Sequence, residues 1–135
     1  MGSRKPVAIV ATVGFVVMCV FQVLLAAGVS LGDAAWGGAS TTLTPQLRIA
    51  SAVSALLFVA AGWAVLTAAG VLRSSAFARA AARSTLWGFA GLFVASSLLN
   101  AFSSSPWERF LMAPLALLLT ACCVWIGLER QPPLA

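Results

Sequence analysis

Charged residues are scarce in this sequence. They make up 8% of its 135 residues, with only three acids among them, whereas 61% of the residues are hydrophobic. Soluble domains contain roughly 25% charged and 45–50% apolar residues. The composition therefore excludes an ordinary soluble domain and predicts an all-α integral membrane protein, in which the membrane helices leave no room for a separate soluble domain.

Histidine is absent and cysteine is rare. The three cysteines, Cys19, Cys122 and Cys123, contain no C-x-x-C pair, so the usual metal-binding and redox spacings are missing. Their positions along the apolar runs place Cys19 in one leaflet and the other two in the opposite leaflet. We therefore expect apolar packing residues rather than a disulfide, and the sequence predicts no metal site, no cofactor and no catalytic residue.

Long apolar runs are what the sequence has instead. Each is close to or above the ~18 residues that indicate a transmembrane helix. Together they predict a four-helix transmembrane bundle in a single membrane domain, 1–135, with helices at about 6–28, 47–70, 85–102 and 106–128. The first run could also be a secretory signal peptide, but it exceeds the ~7–15 apolar residues of a typical signal core. The outer loop, 29–44, should form a re-entrant loop or a short surface helix.

Basic residues are unevenly distributed between the two sides of the predicted bundle. The side that carries both termini has Arg4, Lys5, Arg73, Arg79, Arg83 and Arg130. The opposite side has two arginines and two acids. Because Lys and Arg near helix ends are retained in the cytoplasm, we predict cytoplasmic termini and a multi-pass protein of the bacterial inner membrane. The partners expected are the lipid bilayer and either a membrane-protein partner or a homo-oligomer; the scattered basic residues argue against nucleic acid.

Two predicted helices begin with a hydroxyl residue followed by proline. The stretches are TPQLR, 44–48, and SPWER, 105–109, and both place an arginine four positions after the hydroxyl residue. The hydroxyl caps a free N–H, and proline has none to satisfy. Ser105 and Glu108 also form a capping-box pattern, in which the carboxylate should reach back to the Ser105 N–H. The similarity indicates either an internal repeat of helix pairs or recurring cap chemistry.

Strongly polar side chains within the apolar runs are few. Gln22 and Asn100 are predicted near the outer loop and should turn inward, because a bare amide in hydrocarbon is costly. One interpretation is hydrogen bonding between helices. The other is an outward-opening pocket with the candidate ligand-binding residues Gln22, Asp33, Trp36, Arg48, Asn100, Trp107, Glu108 and Arg109. Pro114 should remove a backbone hydrogen bond and kink the fourth helix.

Short motifs accompany these residues. They are Trp36-Gly37-Gly38, Leu47-Arg48, and the set Asn100, Ser103, Ser105, Glu108, Arg109 and Pro114. In these motifs the chain resembles a family of short, uncharacterised bacterial four-span integral membrane proteins, over about residues 6–128. The resemblance implies four spans and no known activity. The chain departs from the family's Pro-Trp-Gly element in the early loop, where it has Asp33-Ala34-Ala35.

These features fit three classes of function to different degrees. A non-enzymatic accessory protein, or a bundle that binds lipid or a small ligand, needs only packing, caps and a polar cluster on the outer face, and we favour it. A small-molecule transporter similar to four-helix multidrug exporters would need a carboxylate inside a span, which the charge-free runs lack. A membrane enzyme could use the outer acids and arginines, but histidine, metal ligands and an activated nucleophile are missing.

Overall fold

Apolar helices form most of the structure. The computed structural model of the protein describes residues 4–129, and Arg130, counted above among the basic residues, lies outside them. The long helices are α1 (Arg4–Ala27), α2 (Pro45–Ala68), α3 (Ala76–Ala101) and α4 (Ala113–Leu128). Two short 3-10 turns, Gly32–Ala34 and Trp36–Gly38, lie between α1 and α2, and a π-helical segment, Glu108–Met112, leads into α4. The predicted all-α, four-helix fold is confirmed.

Hydroxyl caps set two of the helix starts. The Thr44 hydroxyl accepts a hydrogen bond from the Leu47 N–H at 3.4 Å, as predicted for the start of α2. The Ser75 hydroxyl accepts from the Ala78 N–H at 3.1 Å and begins α3 at Ala76. The sequence predicted this helix only from about 85. The difference arises because the stretch after Ser75 is rich in alanine and arginine, which are strong helix formers although they are not all apolar.

The helices pack as two hairpins. The most extensive contacts join α1 to α2 and α3 to α4, and weaker contacts of α2 with α3 and of α1 with α4 close the ring. Small residues in the first hairpin are fully buried, namely Ala8, Ala11, Ala61 and Ala64. Small side chains allow the backbones of membrane helices to approach closely, so the first hairpin packs through its alanines.

Four phenylalanines form a layer across the middle of the bundle. Phe93 of α3 lies 5.6 Å from Phe15 of α1, 6.0 Å from Phe58 of α2 and 5.9 Å from Phe89, measured between ring centroids. Such separations are typical of favourable aromatic pairs. The layer therefore connects three helices and fills the bundle interior at this depth.

The surface of the bundle is unusually apolar. Large side chains such as Leu56, Leu99 and Phe110 are 70%, 75% and 74% exposed. A soluble protein rarely exposes so many large apolar side chains side by side, whereas a membrane protein presents them to lipid. Within residues 4–129, four helical segments are long and apolar enough to cross a membrane, at Arg4–Ala27, Pro45–Ala68, Ala76–Ala101 and Glu108–Leu128. These segments fit a multi-pass integral membrane protein.

The two ends of the bundle differ in their polar contacts. At the end that carries residues 4 and 129, the termini end, Arg4 forms an ion pair with Glu129. Arg83 donates a hydrogen bond to the Gly127 carbonyl at 2.6 Å, near the end of α4. Cations at a helix C-terminus satisfy free carbonyls and oppose the helix dipole. These contacts join α1 and α3 to the end of α4. The opposite end, where segment 29–44 folds, is the loop end.

Pro114 was predicted to kink the fourth helix. The structure has a widened, π-helical turn just before this proline. Proline has no N–H and clashes with the preceding turn of an α-helix. In the structure the Ala113 N–H donates to the Glu108 carbonyl, five residues earlier, and the segment Glu108–Met112 is π-helical. Single π-helical turns frequently occur at functional sites. Here the turn lies directly beside the polar residues of the loop end.

Candidate ligand-binding site at the loop end

Segment 29–44 folds over the loop end as two consecutive tight turns. The Gly32 N–H donates to the Thr41 carbonyl at 2.9 Å, which brings the two ends of the segment together. The Thr41 hydroxyl donates to a carboxylate oxygen of Asp33 at 3.3 Å. The segment thus folds as a loop with two short 3-10 turns rather than as one surface helix, and Asp33 acts within the loop. Asp33 does not line the cavity described below.

Glu108 connects this loop to the start of the fourth helix. Its carboxylate accepts the Gly37 N–H at 3.0 and 3.1 Å from the two oxygens, and it accepts the Ser103 hydroxyl as well. The side chain is 7% exposed. The Ser105 hydroxyl donates to the Asp33 carbonyl at 2.6 Å and adds a second connection. The loop, the connection after α3 and the fourth helix therefore meet at one buried carboxylate.

The predicted capping box is only half formed. The Glu108 N–H donates to the Ser105 hydroxyl, at a long 3.5 Å. The Ser105 N–H, however, donates to the Ser103 hydroxyl at 3.1 Å rather than to the Glu108 carboxylate. Because the Ser103 hydroxyl accepts the Ser105 N–H, the Glu108 carboxylate accepts the Gly37 N–H instead. The sequence predicted the cap but missed the partner of the acid.

Trp36 is held in an unusual conformation. Its φ is +52°, in the left-handed region that costs non-glycine residues roughly 1–2 kcal/mol. Its indole Nε1–H donates to the Ser51 hydroxyl at 3.0 Å, and Ser51 of α2 is fully buried. The neighbouring Gly37 N–H is bound by Glu108. The indole bond and the contact of the following residue thus hold the strained backbone of Trp36 in place.

The two outer arginines bind backbone carbonyls. Arg48 Nε donates to the Ala26 carbonyl at 2.9 Å, at the C-terminal end of α1, and Arg109 donates to the Ser103 carbonyl at 2.8 Å, after the end of α3. Each reaches back across the connection that precedes its own helix. Neither arginine lines the cavity, and neither does Trp107, which is exposed. The similar sequence stretches at the two helix starts therefore perform the same structural task.

A cavity of about 630 Å³ lies beneath the loop. Phe58 and Phe93 of the aromatic layer border it towards the termini end, and residues of 34–37 border it at the loop end. Leu57 of α2 and Leu92 and Leu99 of α3 line it and are also exposed on the bundle surface. The cavity therefore reaches the apolar outer surface between α2 and α3, and exposed Trp36 and Phe102 show that it also reaches the surface at the loop end.

The polar residues of the cavity lie mostly towards the loop. Four of the eight candidate residues line it, Gln22, Trp36, Asn100 and Glu108. Asn100 donates to the Ser96 hydroxyl one turn earlier in α3, at 3.5 Å, rather than to another helix. The Gln22 Oε1 is buried, and the structure gives it no hydrogen-bond partner. Both amides face the interior as predicted, but the expected bonds between helices are not among the contacts described.

Four serines complete the polar lining: Ser54, Ser96, Ser103 and Ser104. None of the four was among the predicted site residues, and the first two were missed because an isolated serine in an apolar span commonly bonds its own helix. Ser54 indeed donates to the Ala50 carbonyl at 2.9 Å. For Ser96 a signal existed, since it lies four positions before Asn100 and hence on the same helix face.

The part of the chain that the structure describes has no cluster of metal-binding side chains. Within residues 4–129, no three or more His, Cys, Asp or Glu side chains lie together in a way that could hold an ion. No protein-family model, curated protein or solved structure matches the chain. The mainly apolar walls, polar end and single buried carboxylate of the cavity suit reversible binding of a small amphiphilic molecule.

Proposed function

We propose that the chain is a non-enzymatic, multi-pass protein of the bacterial inner membrane that binds a lipid-like small molecule in this cavity. The observation that carries the proposal is the sideways opening between α2 and α3. Exposed Leu57, Leu92 and Leu99 border it, so an apolar chain can enter from the bilayer without crossing water. The volume of about 630 Å³ falls within the roughly 300–1,000 Å³ of known small-molecule sites.

The aromatic layer favours binding over passage. Phe15 and Phe93 are 2% and 5% exposed and close the interior beneath the cavity together with Phe58 and Phe89. A molecule that enters from the loop end meets this layer halfway through the bundle. A transporter is the second candidate, because Glu108 is a buried carboxylate at the end of a candidate span, but it would have to open the layer.

An enzyme that uses the outer acids and arginines is less well supported. Asp33 is bonded within the loop, while Arg48 and Arg109 hold backbone carbonyls. Of the four charged groups, only Glu108 lines the cavity. An acid, a base and an anion clamp therefore do not converge on one point, as such a reaction requires.

Photolabelling tests the proposed cavity directly. The protein in phosphatidylcholine nanodiscs is irradiated with a phosphatidylcholine that carries a diazirine in its acyl chain, and labelled residues are mapped by mass spectrometry. We expect adducts on Phe93 and Met112, which line the cavity. Ser54→Phe places a ring in the cavity and should sharply reduce these adducts. The control Val53→Phe, on the exposed face of α2 beside it, should preserve them. Adducts confined to outward-facing residues would refute the proposal.

The proposed orientation rests on the arginines and lysine at the termini end. Arg4 and Lys5 lie in the first turn of α1, and Arg79 and Arg83 lie near the start of α3 at the same end; cations near helix ends are retained in the cytoplasm. We expect a membrane-impermeant maleimide to label Thr42→Cys in intact cells, but Arg73→Cys only after lysis. The unsubstituted protein measures the background from its own cysteines. The reverse labelling pattern would overturn the orientation.

A further inference from the structure

The charge that borders the cavity is negative. Among the described residues that line it, Glu108 is the one with a formal charge. The arginines of the loop end lie elsewhere, bound to the Ala26 and Ser103 carbonyls. A buried carboxylate is screened less than an exposed one and attracts a cation while it repels an anion. The cavity therefore selects against an anionic head group.

Two acceptors in the lining of the cavity have unused hydrogen-bonding capacity. The buried Gln22 Oε1 has no partner in the structure, and such a buried acceptor is costly unless something donates to it. The Glu108 carboxylate accepts from one N–H and one hydroxyl, whereas two carboxylate oxygens offer about four acceptor positions. A head group that donates several hydrogen bonds would use this remaining capacity.

An aromatic residue borders the same end of the cavity. Trp36 lines it together with Glu108, and the φ of +52° at Trp36 is maintained by the indole bond to Ser51 and by the contact of Gly37 with Glu108. Ammonium groups are attracted to the face of tryptophan rings. A carboxylate, an amide side chain and an indole line this one cavity, and these groups together suit an ammonium ion.

We infer that the molecule bound in this cavity is an amphiphile whose head group is an ammonium and whose alkyl chain leaves between α2 and α3. This inference rests on the proposed lipid-like binding and adds the chemistry of the head group. The ammonium lies between Glu108, Gln22 and Trp36, and the chain lies against Phe58 and Phe93. The source of the ammonium is either a free alkylamine or the amine of a lipid head group.

Competition against the photolabel described above tests the inference without any substitution. Dodecylammonium, dodecanol and dodecanoate share one chain and differ in the charge of the head. We expect dodecylammonium to displace the label at the lowest concentration and dodecanoate at the highest. Nanodiscs that contain phosphatidylethanolamine should lower labelling by themselves if a lipid amine is the source, and leave it unchanged if a free alkylamine is the source. Equal or stronger displacement by dodecanoate would overturn the inference.

Two matched substitutions remove one acid each. Glu108→Gln keeps an oxygen for the Gly37 N–H but removes the charge, so dodecylammonium affinity should fall roughly 10- to 100-fold, a clearly larger loss than dodecanol shows. Asp33→Asn removes the other acid of the loop end, which does not line the cavity, and should change neither. Gln22→Met should weaken both ligands by removing the unpaired acceptor.

The possible failures are distinguishable. If the photolabel reaches Phe93 but Glu108→Gln leaves dodecylammonium binding unchanged, the head group inference is wrong and the proposed cavity function stands. If Phe93 is never labelled and no dodecyl compound affects the labelling pattern, the proposed function itself is wrong. Folding of each variant is checked by circular dichroism. If Glu108→Gln does not fold, the order in which dodecylammonium, dodecanol and dodecanoate displace the photolabel from the unsubstituted protein tests the head group inference.

Discussion

Removal of the Glu108 side chain should release the outer loop. In Glu108→Ala the Gly37 N–H and the Ser103 hydroxyl both lose their acceptor. The two contacts of Gly37 share one N–H and are counted once. A hydrogen bond to a charged group contributes about 1.5–3 kcal/mol, so we expect the two bonds together to be worth about 3 kcal/mol of unfolding free energy. The Ser105 hydroxyl still binds the Asp33 carbonyl, which keeps the loop near the bundle.

The assay distinguishes release of the loop from a general loss of stability. Unfolding is followed by circular dichroism as sodium dodecyl sulfate is added to dodecylmaltoside micelles, and amide hydrogen exchange is measured on peptides that cover 29–44. Glu108→Gln, which keeps an oxygen for Gly37, should lose about 1 kcal/mol and show little extra exchange. If the alanine variant is as stable as the glutamine variant, or if loop exchange does not rise, Glu108 does not hold the loop as described.

Three further predictions concern the same end of the bundle. Gly38→Ala should lower the thermal unfolding midpoint more than Gly37→Ala. Both glycines have positive φ, but of the two only Gly38 would place a Cβ 2.9 Å from a backbone oxygen. Equal shifts of the midpoint would contradict this. Trp36→Phe and Ser51→Ala should each cost about 1 kcal/mol, and the double variant should cost less than their sum, so strictly additive losses would show that the indole bond contributes nothing. Arg48→Ala should speed amide exchange at the end of α1 and leave photolabelling of the cavity intact; lost labelling with an unchanged fold would give this arginine a role in binding.

Features that depend on a few consecutive residues could be predicted from the sequence. Apolar runs of sufficient length have to cross the bilayer, and the hydroxyl of Thr44 followed by proline caps α2 as expected. Gln22 and Asn100 could be placed in the interior because an amide in hydrocarbon is costly. The start of α3 was missed because apolar content marks only the membrane-crossing part of a helix, while Ser75 sets its beginning in the polar connection.

The partners of the charged side chains could not be predicted. The capping pattern indicated the Ser105 N–H as the partner of Glu108, yet the carboxylate binds Gly37, 71 positions away. Nothing in the local sequence specifies which distant backbone group folds back over the helix start. Arg48 and Arg109 were predicted to bind a ligand because guanidinium groups often bind anions. Their actual acceptors are carbonyls, which every residue has, so no residue type indicates them.

The carbonyl acceptors of Arg48 and Arg109 also affect how this fold can change during evolution. Ala26 and Ser103 contribute only their backbone oxygens to these bonds, so many substitutions at either position leave the bond in place. An arginine that pairs with a carboxylate requires its partner to be retained, whereas these arginines do not. Correlated substitution between positions 26 and 48, or between 103 and 109, is therefore not expected on account of these bonds.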